Sequence, residues 1–215
     1  MDSNLFQPSS LEEAAGLIQK QLASFRDQKE KTNSKGVADS SNLLIICIDG
    51  RCASGKTSLA TLLESQIENS QVIHLDDFFL QPYQRTPKRY ATPGRNVDSE
   101  RIIQEILEPA RHGLPIVYQP FSCRSMSLQA PVSIGKPEVL ILEGSYAANS
   151  DLGPYADLRI LTTIDPDLQL ERIEKRNGKE KLQDFKSRWI PLEENYFQTV
   201  DPARFDLVFD LGHLK

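Results

Sequence analysis

The sequence predicts an α/β fold, with a five-stranded parallel sheet carrying helices on both faces and a small substrate and lid region beside it. Three observations carry that expectation. Five short apolar runs alternate with segments of helical periodicity. The first run, Leu43–Ile48, feeds into Gly50–Thr57, G-R-C-A-S-G-K-T, a full match to the phosphate-binding pattern G-x-x-x-x-G-K-[ST]. The 215 residues, 39% hydrophobic and 26% charged, suit one well-buried soluble domain and are too few for two of typical size.

The elements follow in order. Ser10 and Glu13 have the spacing of a capping box, and Leu11, Ala15, Ile18, Leu22 and Phe25 recur at helical intervals. They predict an amphipathic helix over residues 10 to about 28. Its apolar face is expected to pack on the sheet, with self-association into a homodimer as the alternative. Asp27–Asn42 is charged, then rich in Ser, Gly and Asn, and reads as a linker. Residues 1–42 therefore precede a domain of 43–215. After the phosphate-loop strand comes a helix bearing Leu59, Leu62, Leu63 and Ile67, then a strand, Gln71–Leu75, ending in Asp76-Asp77-Phe78-Phe79. Pro82, Pro87, Pro93 and Gly94 make residues 80–97 an irregular loop. A helix from Ser99 buries Ile102, Ile103, Ile106, Leu107 and Ala110. Ile116–Gln119 and about Leu128–Ile134 pair as a hairpin, within a substrate region of about 80–135. Glu138–Leu142 is a strand ending at Glu143-Gly144, and Leu158–Ile164 is another. Asp165 caps the next helix with Pro166 at its first position, and Gly178 ends it. Residues 181–199 read as helix interrupted at Pro191, which gives a lid of about 166–190. Phe205–Phe209 is the last strand.

In a parallel sheet of this kind ligands lie at the carboxyl ends of the strands. The phosphate loop, Asp76-Asp77 and Glu143 all stand there. Backbone N–H groups of Gly50, Arg51, Cys52, Ala53, Ser54, Gly55, Lys56 and Thr57 are placed to cradle phosphate at a helix N-terminus, and Lys56 adds a point charge. ATP is the expected cofactor, with Mg²⁺ on the Thr57 hydroxyl and a carboxylate at Glu143; a solvated turn residue is the plainer reading of Glu143. Asp76 or Asp77 would take the acceptor's proton, the alternative being that both simply form the turn. Arg172 and Arg176, one turn apart, and Arg188 would stabilise transferred charge, or be solvated surface arginines paired with Glu171 and Glu174. Arg85, Lys88, Arg89, Arg95 and Arg101 put five cations in a short stretch of an otherwise acidic chain. They meet an anionic substrate or the ATP phosphates, or form a solvated loop.

Composition narrows the partners. A net charge of -5 argues against general nucleic-acid affinity. No apolar run is long enough to span a membrane, and the N-terminus lacks the pattern of a signal peptide. Cys47, Cys52 and Cys123 form no C-x-x-C pair, which points to a reducing, cytoplasmic setting and away from a disulfide framework or zinc site.

Five pieces in this order, G-R-C-A-S-G-K-T, H-L-D-D-F-F, V-Y-Q-P-F-S-C, L-I-L-E-G and E-R-I-E-K-R-N-G, resemble the uridine kinase and phosphoribulokinase group of P-loop kinases, which includes nicotinamide riboside kinase. The resemblance spans about residues 43–190 and implies the P-loop NTPase fold. It also implies Asp76 as general base, Glu143 as the metal-associated carboxylate, and a lid helix bearing Arg172 and Arg176. Asn96-Val97-Asp98 and Tyr118 fall where that group contacts its nucleoside; with Arg101 they are the candidate acceptor-side residues. Cys123 stands about where uridine kinases carry a pyrimidine-reading His. Residues and resemblance together predict an ATP-dependent kinase acting on a hydroxyl of a nucleoside or ribosyl-type small molecule. The alternatives are a kinase for a phosphorylated sugar or other anionic metabolite, and an ATP-binding regulatory module that transfers nothing. No N-K-x-D stretch for guanine occurs.

Overall fold

The computed structural model describes residues 5–33 and 43–214. One six-stranded parallel sheet organises them. Its strands are β1 (Leu5–Phe6), β2 (Leu44–Gly50), β3 (Ser70–His74), β8 (Val139–Glu143), β9 (Leu158–Thr163) and β10 (Leu207–Asp210), in the order β1-β10-β9-β2-β8-β3. Between β3 and β8, four short strands form two antiparallel pairs. Ile116–Tyr118 (β4) pairs with Val132–Ile134 (β7), and Phe121–Ser122 (β5) with Ser127–Leu128 (β6). The hairpin is thus present, with a second small pair nested inside it.

Alternation along the central strands sends side chains to two cores. Leu44, Ile46 and Ile48 of β2, Val139 and Ile141 of β8, and Leu207 and Phe209 of β10 join one cluster. Ile45, Cys47, Leu140, Leu142 and Val208 join the other. Strands buried on both faces read as continuous apolar runs, which is why these five were legible. β1 is the addition. Two residues cannot show a period, and only pairing with β10, Leu5 to Val208 and Phe6 to Phe209, makes them a strand.

Helix α1 (Leu11–Asn33) extends five residues beyond the expected end, so 27–33 is helix; 34–42 of the expected linker lie outside the described residues. Ser10 Oγ accepts from Glu13 N at 3.2 Å, while the Glu13 carboxylate reaches Ser9, accepting from its N–H and hydroxyl at 2.7 Å each. Ala14, Ala15, Ile18 and Leu22 are buried against the sheet in the same cluster as helix α2 (Lys56–Gln66). The apolar face of α1 thus packs on the sheet through these four side chains.

On the opposite face the second cluster contains Ile102, Ile106, Leu107 and Ala110, from a helix over 99–111, and Tyr196 and Phe197, from one over 179–197. Each contains a π-helical turn, Ile103–Leu107 and Phe185–Trp189, two residues before a proline, Pro109 and Pro191. Pro191 therefore does not interrupt its helix. A proline removes one N–H and crowds the preceding turn; the wider turn accommodates that strain. The loop 80–97 carries two short helical turns, Pro82–Gln84 and Pro87–Ala91. Helix α3 (Pro166–Asn177) starts as expected, with Asp165 accepting from Asp167 N and Leu168 N. Among the described residues no helix is long and apolar enough to cross a membrane.

Candidate active site

The carboxyl ends of β2, β3, β8 and β10 open into one cleft of about 1090 Å³. The phosphate loop follows β2 near its middle. Gly55 holds φ at 97°, and a side chain at Gly50 would collide with the Thr162 hydroxyl and carbonyl, so both glycines are dictated by backbone. Ser54 Oγ and Thr162 Oγ1, 2.6 Å apart, pin the loop to β9. Lys56, almost wholly buried, donates from Nζ to the Arg51 carbonyl at 2.8 Å, arching over the loop.

On the β8–β3 side the carboxylates gather. The register aligns Glu143 with Ile48 on one side and His74 on the other. Thr57 Oγ1 donates to the Glu143 oxygens at 3.2 and 3.3 Å, and His74 Nδ1 lies 2.6 Å from Glu143 Oε1. A hydroxyl and a carboxylate side by side at the mouth of the loop are hard oxygen donors of the kind Mg²⁺ takes together with phosphate oxygens, so these residues fit that ion. The hydrogen bond to Glu143, then its charge, raises the His74 pKa. Asp76 lines the cleft and Asp77 does not. The Asp76 carboxylate is open to the cleft yet walled by protein; desolvation first, and Glu143 second, push its pKa up, while Lys56, Arg176 and His74 oppose.

Arg172 and Arg176 both line the cleft, in different states. Arg176 donates from Nη2 to Cys52 Sγ at 3.2 Å and faces Asp76. Arg172 is engaged by four carbonyls: Ala53 at 3.1 Å, Leu211 at 3.4 Å, Gly212 at 2.8 Å and Leu214 at 2.6 Å. Its guanidinium ties the loop to the segment after β10, which leaves little of it for transferred charge. Arg188 lies over Trp189 and donates to Tyr90, joining the lid to the substrate region.

The acceptor-side candidates divide as well. Asn96 and Val97 line the cleft with Phe79, Cys123 and Trp189. Asp98, Arg101 and Tyr118 are buried outside that lining. Asp98 caps the 99–111 helix by accepting from Arg101 N at 3.2 Å. Arg101 forks onto Glu105 at 2.7 and 2.8 Å and reaches the Gln119 carbonyl, and Tyr118 stacks on Phe78 with centroids 5.4 Å apart. The cations of 85–101 are largely spent. Arg89 is bidentate on Glu100, Arg95 pairs with Asp151, and Arg85 donates to the Leu80 carbonyl.

The sequence reading missed a grip on the phosphate loop from the end of the 179–197 helix. Glu193 accepts from Cys52 N through both oxygens at 3.1 Å, from the Ser145 hydroxyl at 2.8 Å and from Gln169 at 3.3 Å. Burial raises its pKa, with Lys56 the largest opposing influence. Glu194 forks onto Arg51 at 2.5 and 3.0 Å, and Phe197 lies under the same guanidinium. Tyr196 donates to Asp49 at 2.7 Å, and Asp49 also accepts from the N–H groups of Gly50, Tyr146 and Ala148. The only trace in the sequence was E-E-x-Y-F, one helix turn rich in acids and aromatics.

No protein-family model matches the sequence, and no curated protein matches it significantly. Solved structures do match. A Bacillus stearothermophilus protein provisionally designated a uridine kinase is 20% identical, with a TM-score of 0.59 over 88% of this chain and 100% of its own. One from Silicibacter sp. TM1040, provisionally designated a fructose transport system kinase, is 19% identical with a TM-score of 0.66, covering 94% and 99%. The D-glycerate 3-kinase of Cryptococcus neoformans is 16% identical with a TM-score of 0.58, covering 90% of each. The chain has the P-loop fold of these kinases.

Proposed function

We propose that the protein is an ATP-dependent small-molecule kinase that transfers the γ-phosphate to a hydroxyl of a nucleoside or ribosyl-type acceptor. The observation that carries this reading is the meeting, in one cleft, of the phosphate loop with Asp76, Glu143 and Arg176. Residues 43–215 act as the kinase body, with the acceptor between the 80–135 region and the sheet and the lid, 166–190, above. The loop amides and Lys56 bind the phosphates, and Thr57 and Glu143 hold Mg²⁺, which when bound neutralises charge on the phosphate oxygens.

Asp76 accepts the proton of the acceptor hydroxyl. That oxygen forms the new bond to phosphorus as the bond from phosphorus to the ADP oxygen breaks, and ADP leaves with the electron pair. Arg176, whose guanidinium reaches the loop, offsets negative charge on the group in transfer. The acceptor lies against Asn96, Val97, Phe79, Cys123 and Trp189, and Asp98, Arg101 and Tyr118 support that wall from behind. Pairing of Arg89, Arg95 and Arg101 with carboxylates supports an unphosphorylated acceptor over an anionic one. Calorimetric titration with Mg-ATP tests the nucleotide half of the reading: wild type binds, and Lys56→Ala loses binding while its circular dichroism is unchanged. Wild-type affinity in that variant would contradict it.

A further inference from the structure

Glu193 is a carboxylate that the proposed chemistry leaves without a task, although it lines the cleft and is almost wholly buried. With Gln169 of α3 it clamps one residue of the phosphate loop from both sides. Both Glu193 oxygens accept from Cys52 N at 3.1 Å, while Gln169 Nε2 donates to the Cys52 carbonyl at 3.2 Å and to Glu193 at 3.3 Å. The Ser145 hydroxyl, donating to Glu193 at 2.8 Å, completes the set. Desolvation raises the Glu193 pKa, and Lys56 is the largest opposing influence. The charge that makes this carboxylate tolerable is thus the ammonium that bound phosphates would draw away.

The same helix also meets the acceptor wall. Phe185, Trp189 and Glu193 recur at intervals of four along the 179–197 helix, and all three line the cleft. The Trp189 ring lies 6.0 Å from that of Phe79, which ends the turn carrying Asp76. Glu194 and Tyr196 fasten the helix to Arg51 and Asp49. One rigid element thus carries both a hold on the phosphate loop and a ring of the acceptor wall. In-line transfer needs the acceptor oxygen within a fixed reach of the γ-phosphorus, where a misplacement of about 1 Å costs on the order of 100-fold in rate. We infer that Glu193 is a positioning residue for phosphoryl transfer: through Cys52 it fixes the first half of the phosphate loop, and through its helix it carries the movement of a filling loop to Trp189. The inference rests on the kinase reading and adds to it a residue that acts through Cys52 and Trp189, not on the reacting atoms.

Trp189 is the only tryptophan of the chain, so its emission reports on the acceptor-wall end of the helix. The probes are ATP and inorganic tripolyphosphate, each with Mg²⁺, added to the full chain up to saturation, with affinities from calorimetry. In the wild type both are expected to shift the emission, tripolyphosphate included, because it fills the loop without a nucleoside or an acceptor. Glu193→Gln keeps the size of the side chain but turns an amide N–H toward other donors. It is expected to bind both probes within about tenfold of wild type and to lose the emission shift. Gln169→Ala, which frees the Cys52 carbonyl and leaves Glu193 in place, is expected to diminish the shift, and it decides the matter should Glu193→Gln not fold. With amplitudes read at saturation, a merely structural role would lower affinity or melting temperature and leave the shift intact. A full shift in variants that bind, or none in a wild type that binds, would overturn the inference. A wild type that binds neither probe would instead overturn the phosphate-loop reading, and the role of Glu193 with it.

Discussion

Asp76 and Asp77 are neighbours of one chemical type, and their surroundings separate them. Asp76 lines the cleft and faces Lys56, Arg176 and Glu143, whereas Asp77 is off the lining; desolvation raises the pKa of both. Asp76→Asn is expected to lower kcat by about two to four orders of magnitude with ATP affinity little changed, because a general base acts on the reaction and not on nucleotide binding. Asp77→Asn is expected to cost far less. Turnover and calorimetry on both variants check the assignment, and normal turnover in Asp76→Asn would refute it. The sign of the pH dependence follows. A base works only when ionised, and this one has a raised pKa. With Asp76 as the base, activity in the wild type is expected to rise with pH through a value above that of an ordinary aspartate. The phosphate loop was legible because its motif is local. Asp49 was not, because its four hydrogen-bond partners come from 50, 146, 148 and 196, far apart in sequence.

Among the elements, α1 was legible from its capping residues and spacing, and the structure buries it as periodicity required. Ile18, fully buried in the cluster with α2, makes the test. Ile18→Ala is expected to destabilise the fold by about 2–5 kcal/mol through lost burial and the cavity left behind. Denaturant unfolding measures this; a wild-type midpoint would mean that α1 contributes nothing to the domain. The end of the 179–197 helix is a second element with a measurable role. Asp49→Ala would leave three buried N–H groups and the Tyr196 hydroxyl facing no acceptor. The expected loss is about 3 kcal/mol or more, since each orphaned donor retains its desolvation cost. Unfolding at the wild-type midpoint would show that the grip on the phosphate loop is incidental. Elements that depended on tertiary context escaped the sequence: β1, which exists through β10, and the helix through Pro191, which continues because a π-helical turn precedes the proline.

Across the whole molecule, strand order sets function. Putting β2 between β9 and β8 places the phosphate loop mid-cleft, with Asp76 and Glu143 to one side and the turn after β10 to the other. The alternation of five apolar strands with helices was enough to predict a parallel sheet covered on both faces, though not its strand order. The proposed acceptor wall was legible only at Asn96 and Val97, because residues 79, 96, 97, 123 and 189 converge only in three dimensions. The measurement that bears most directly on the proposed activity is ADP release from Mg-ATP over a panel of nucleosides, ribosyl-pyridines, vitamins and sugar phosphates, run on wild type and Asp76→Asn. The account predicts that an unphosphorylated nucleoside or ribosyl compound stimulates ADP release, and that the stimulation disappears in Asp76→Asn. A protein that binds Mg-ATP but releases no more ADP with any acceptor would be a nucleotide-binding regulatory module, and would contradict it.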